Sequence, residues 1–154
     1  MEEQLIETWQ IHNRINAYLL NAIADAALAN VSISKGRSVG EQFAHVHNVR
    51  LMWLQAAAPE LMAGLKKLEK DQATDKAALL KGLEQSGAAM ENLLRKSLAA
   101  GGKVKGFKPH VVAFVGYLIA HEAHHRGHIG LTLKQTGQPL DKKVAFGLWE
   151  WGVR

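Results

Sequence analysis

Apolar residues spaced three and four apart fill four long stretches of this chain, a periodicity that restricts it to helices packed on one another. Leu5, Ile6, Trp9, Ile15, Leu19, Leu20 and Ile23 set a first helix over residues 3–29. The segment Asn30 to Arg37, with Ser32, Ser34 and Gly36, reads as a loop. Ser38-Val39-Gly40-Glu41 is a capping box, in which serine and glutamate each satisfy a free backbone N–H. It opens a second helix that runs to Ala57, and Pro59 marks its end. Glu60 to Lys70 is amphipathic and short, a helical piece of a long connection. Thr74 is the expected cap of a third helix, Asp75 to Ala99, with Leu79, Leu83, Met90, Leu93 and Leu94 inside. Gly101-Gly102 ends it, and Pro109 suits the first turn of a fourth helix. That helix stops at Thr136, before Gly137 and Pro139. Asp141 to Glu150 adds a short terminal helix.

These stretches account for nearly all of the 154 residues, and a four-helix bundle is the simplest way to bury their apolar faces. The expected fold is all-α, one domain over 1–154, with a short extra C-terminal helix. The connection between the second and third helices is long enough to cross the bundle and make those two parallel.

Composition narrows the function. The chain has no cysteine, so thiolate ligands, disulfides and a cysteine nucleophile are excluded. Met1-Glu2-Glu3-Gln4 lacks the basic and apolar regions of a signal peptide, and a cytoplasmic protein is expected. The longest apolar stretch, Val111 to Ala120, is far below the roughly 20 residues of a membrane span. Net charge is +5, but the lysines and arginines are scattered and no aromatic residues alternate with them. The expectation is no nucleic-acid partner and no membrane partner.

Eight histidines remain to be explained, four of them in the octet His121-Glu122-Ala123-His124-His125-Arg126-Gly127-His128. At about 100° per residue, His121 and His125 lie one turn apart within a quarter-turn of Phe114, Leu118, Ile129 and Thr132. Two imidazoles at i and i+4 on an apolar face converge well on one metal ion. The alternative is that each ring satisfies itself on a backbone carbonyl. A third ligand favours the metal, and His12, His45, His47 and His110 are the candidates. His45 shares a face with Val49, Met52 and Ala56, read as inward. His47 aligns with Phe43, Arg50 and Leu54, read as nearer the edge. His12 and His110 read as surface or near-terminal residues. Glu122 points about 100° away from His121 and is expected to pair with Arg126 at the helix surface.

Two segments carry a family resemblance. Phe43-Ala44-His45-Val46, followed by Val49-Arg50 and Trp53-Leu54, is similar to the first motif of the DinB/YfiT-like family. His121 to Gly127 resembles its second motif, His-x-x-x-His-Arg-Gly, and Leu148-Trp149-Glu150-Trp151-Gly152 is similar to the aromatic C-terminus of many members. The resemblance implies an up-down-down-up bundle, often a homodimer, holding a divalent metal, zinc or nickel in many members. It carries the ligand role to His45, His121 and His125. His128 stands where glutamine is usual, which makes it a possible extra ligand or a donor behind the ligands.

Three histidines leave a coordination position for water or substrate. Some relatives are S-transferases that use bacillithiol or mycothiol, and with no cysteine in the chain any thiol comes from a small molecule. The expected function is a metal-dependent thiol S-transferase or a related detoxifying enzyme, with a low-molecular-weight thiol and an electrophile as substrates. The alternative is a non-catalytic stress-response bundle with the ion as an internal staple.

Overall fold

A computed structural model describes residues 1–154. Four long helices and one short one follow the sequence periodicity: α1 (Glu2–Ala22), α2 (Val39–Ala57), α3 (Lys76–Ala99), α4 (Val111–Gln135) and α5 (Lys142–Gly147). Their contacts give the directions. Glu3 meets Arg95 and Asn13 meets Gly87, so α1 and α3 run antiparallel. His47 meets Gly82 and Arg50 meets Ser86, so α2 and α3 run parallel. Gln42 meets His125 and Trp53 meets Phe114, so α4 opposes α2. The order is up-down-down-up, with α1 and α2 diagonal to each other.

Local chemistry sets the helix ends. Ser38 and Glu41 form the expected capping box. Three other boundaries differ from the sequence reading. α1 stops at Ala22, and Asp25–Ala29 continues as a separate 3-10 turn. The Lys76 ammonium takes the Ile23 carbonyl and pairs with Asp25 at the break. Asp75 rather than Thr74 caps α3, its carboxylate accepting the Ala78 N–H. α4 begins at Val111, with Pro109 just outside and the His110 ring accepting the Ala113 N–H at 3.2 Å. The α2–α3 connection is helical only at its ends, Pro59–Met62 and Lys70–Thr74.

Glycine allows the closest helix contact. A Cβ on Gly40 would lie 1.6 Å from the Ala73 carbonyl oxygen, so only glycine lets the start of α2 pack against this connection.

Burial divides the interior into three levels. One apolar cluster joins Leu19, Phe43, Leu79 and Ile129, with neighbours, near the ends of α1 and α4. The other joins Trp9, Leu54, Met90 and Phe114 at the opposite end. Between them lies a polar layer. Glu122, 1% exposed, accepts from Arg50 Nε and Nη2, each at 2.7 Å, and from Asn16 Nδ2 at 2.6 Å. His12, 0% exposed, donates from Nε2 to the same carboxylate at 2.7 Å. Arg126 donates to Asn16 Oδ1 at 2.6 Å, and Arg50 Nη1 reaches Asn13, the Leu83 carbonyl and Ser86. Burial alone would raise the Glu122 pKa, but the charge and hydrogen bonds of Arg50 outweigh it and hold the carboxyl well below its usual range.

This layer corrects two expectations. Glu122 is no surface partner of Arg126 but the centre of the buried network. His12 is part of it and not a surface residue. Breaking one side of such a pair leaves an uncompensated buried charge, at a cost of about 3–5 kcal/mol. Glu122→Ala should therefore lower unfolding stability by about that much in denaturant titration, while replacing Glu122 and Arg50 together by methionine should cost less than either methionine substitution alone.

Candidate metal centre

His45, His121 and His125 stand at the height of the polar layer, on the seam where α2 meets α4. One ring nitrogen from each lies within 4.8 Å of the other two. Ring centroids are 4.6 Å apart for His45 and His125, 4.7 Å for His121 and His125, and 5.5 Å for His45 and His121. His125 is buried, and the other two are half-buried.

The hydrogen bonds select the tautomer of His125. Its Nδ1–H donates to Gln42 Oε1 at 2.5 Å, which leaves the Nε2 lone pair facing the group. His125 Nε2 is 3.2 Å from His121 Nε2. That separation is close to what two nitrogens need to share an ion at roughly 2.0–2.1 Å each. His121 Nδ1 is buried without a partner, so this ring, unlike that of His125, is not held by a hydrogen bond on its far nitrogen. Tyr117 stacks on the outer face of His121, with planes 15° apart. Three neutral nitrogens, one of them oriented by an amide, suit a divalent ion that accepts imidazole.

Electrostatics keep the donors neutral. Burial lowers the pKa of His45, and Arg37 and His121 lower it further. Burial also lowers that of His121, against the opposing pull of Glu122. For His125, burial and then the neighbouring His121 and His45 push it down to about 3.

The other candidates lie elsewhere. His47 is 1% exposed, not at the rim, with its ring nitrogens 2.8 Å from the carbonyls of Gly82 and Lys66. It ties α2 to α3 and to the long connection. His110 is a helix cap. His128 is exposed, lies beside His124, and is outside the three-nitrogen group. The face of α2 also differs from expectation: Met52 is 55% exposed, while Phe43, His47, Arg50 and Leu54 form the buried side. His45 meets α4 from the edge of that side. Sequence reasoning missed His12, Arg50 and Glu122, although Glu122 lies on the same heptad as Val111, Val115, Leu118 and Ile129, all buried.

The two α2 histidines should part company on substitution. His45→Ala should abolish stabilisation by added zinc or nickel while costing the metal-free chain little. His47→Ala should lower stability by about 1–3 kcal/mol with or without metal, because the ring's N–H no longer reaches a carbonyl between α2 and its neighbours. Melting curves with and without chelator distinguish these outcomes.

Acid should act in a defined direction. The unfolded rings take protons near pH 6.5, whereas the folded ones resist. The stability they contribute is therefore complete above about pH 6.5 and fades as pH falls from there toward the folded value of about 3 for His125. A bound ion has the same sign, since it also requires neutral rings. Melting temperature should fall between about pH 7 and pH 4 in both forms, and more steeply in the metal-loaded one.

No curated protein and no solved structure matches the chain, and no helix is long and apolar enough to cross a membrane. The family model described as the DinB family matches residues 1–142. With the all-helical bundle and the three-histidine group in place, the chain belongs to the DinB family.

Proposed function

We propose that the chain is a metal-dependent thiol S-transferase of the detoxifying kind, working with one zinc or nickel ion on His45, His121 and His125. The observation that carries this reading is that the three-nitrogen group reaches an open cavity through one of its members, His45. His45 lines a cavity of about 360 Å³ together with Arg37, Asn48, Lys67 and Lys70 and the carboxylates Glu41 and Glu69. A structural ion is normally closed in by four protein ligands, whereas a catalytic one keeps a position free.

A divalent ion held there would act as a Lewis acid and lower the pKa of a coordinated thiol or water. The protein supplies the rest. Gln42 holds the His125 ring in one tautomer. Tyr117 and Trp53, with Phe107 and Phe114, form an aromatic wall beside His121 that limits water on that flank. Arg37 enters no ion pair with an acidic side chain of the chain and lowers the proton affinity of all three histidines, so its positive charge reaches the group. An acidic thiol therefore suits this cavity better than a neutral or basic one.

A second reading, an ion that staples α2 to α4 without catalysis, is favoured by one observation. The three-histidine group contains no carboxylate to serve as a base, since Glu122 is turned into the polar layer and bound there.

The test is conjugation of a low-molecular-weight thiol to an electrophile such as chlorodinitrobenzene, measured with metal-loaded, chelator-treated and His121→Ala protein. Activity that needs both the metal and His121 supports the enzyme. Metal-dependent melting temperature without any thiol chemistry, and without spectral change of the cobalt-substituted protein on adding thiol, supports the staple. Arg37→Ala should weaken 3-mercaptopropionate several-fold and 2-mercaptoethanol little, with metal binding no weaker than in the parent, as read from the cobalt spectrum.

A further inference from the structure

The octet that supplies His121 and His125 holds two more histidines, His124 and His128, that the three-nitrogen group leaves out. Both are exposed on the solvent side of α4, one turn apart. Their ring centroids are 4.5 Å apart with planes at 48°. His124 also meets the His125 ring edge-on at 5.3 Å, so the pair begins where the buried group ends.

Nothing in the packing calls for imidazole at either position. Around them on the same face lie Tyr117, Ala120, Ala123, Gly127 and Leu131, all exposed and none charged. A Cβ on Gly127 would meet nothing within 4 Å, so no other element covers α4 at that position. Two exposed imidazoles at i and i+4 approach within reach of a single ion, and water completes its coordination.

We propose that His124 and His128 form a second divalent-cation site, separate from His45, His121 and His125 and open to solvent. Two ligands on one helix build no cage, so geometry does not select the ion. Selection then follows intrinsic affinity, with Cu²⁺ held more tightly than Ni²⁺ or Zn²⁺. The first imidazole to bind holds the ion beside the second, so the two act as a chelate and not as independent ligands.

The test uses untagged, zinc-loaded protein. Titration with Cu²⁺ should show one equivalent taken up beyond any that exchanges for zinc, and the protein should be retained on immobilised Cu²⁺. His124→Gln and His128→Gln should each weaken that binding by about tenfold or more, and the double substitution should weaken it little further. Both residues are exposed, and circular dichroism of each variant checks that the fold is kept. Copper uptake matched by equal zinc release would overturn the proposal. So would single substitutions that leave binding unchanged, or that each remove only an additive half.

Discussion

The ion pair between Glu122 and Arg50 is the contact on which the rest of the bundle is arranged. Two charges removed from water are stable only if every remaining donor and acceptor is matched. Here the matching groups come from all four long helices: His12, Asn13 and Asn16 on α1, Arg50 on α2, Ser86 and the Leu83 carbonyl on α3, and Glu122 with Arg126 on α4. Apolar surface is indifferent to sliding by a turn or rotating by a fraction of one. A bidentate guanidinium–carboxylate pair is not, because both its distance and its plane are fixed. The layer therefore gives four greasy rods one common height and one set of rotations.

The histidine group follows from that rotation. With Glu122 turned to the centre, the residue before it and the one three after it flank the inner stripe of α4 on the side of α2. Those residues are His121 and His125. Arg50 does the same for α2: it is drawn inward, and His45, five residues earlier, comes to the edge that meets α4. Gln42, one turn before His45, then reaches His125. The network thus sets the two halves of the site against each other without a hydrogen bond to any of the three rings.

Much of this was legible in the sequence, and the parts that were not share one cause. Periodicity gave the four helices, the capping box at Ser38 and the stop at Gly137, since these depend on local chemistry. The i, i+4 spacing of His121 and His125 placed them on one face, and the two motif segments brought His45 to them. The buried face of α2 was misread because Arg50 and His47 are polar, and a wheel weighted by hydropathy turns polar residues outward. Glu122 was misread for the same reason, although its heptad neighbours Val115, Leu118 and Ile129 are all in the core. Each helix carries a polar residue halfway along its apolar stripe: His12 and Asn16, Arg50, Ser86, Glu122. Read across helices instead of within one, that coincidence of height is the sequence signature of a buried layer. The break after Ala22 depends on Lys76 of another helix and had no local signal.

The same layer governs the charge that surrounds the histidine group. Glu122 is the carboxylate adjacent to His121 in the chain, and its charge is spent on Arg50, with His12 and Asn16 taking what remains of its oxygens. Arg126 adds a further positive charge to the interior, and Arg37 adds one from the cavity side. Three neutral imidazoles bring a divalent ion no compensating charge, and a cation in that field favours whatever anion can reach it. The cavity at His45 sets Arg37, Lys67 and Lys70 against Glu41 and Glu69. A divalent ion held on the three rings would therefore meet a cavity in which cations outnumber carboxylates, with Lys70 paired to Glu41 and Arg37 in no ion pair.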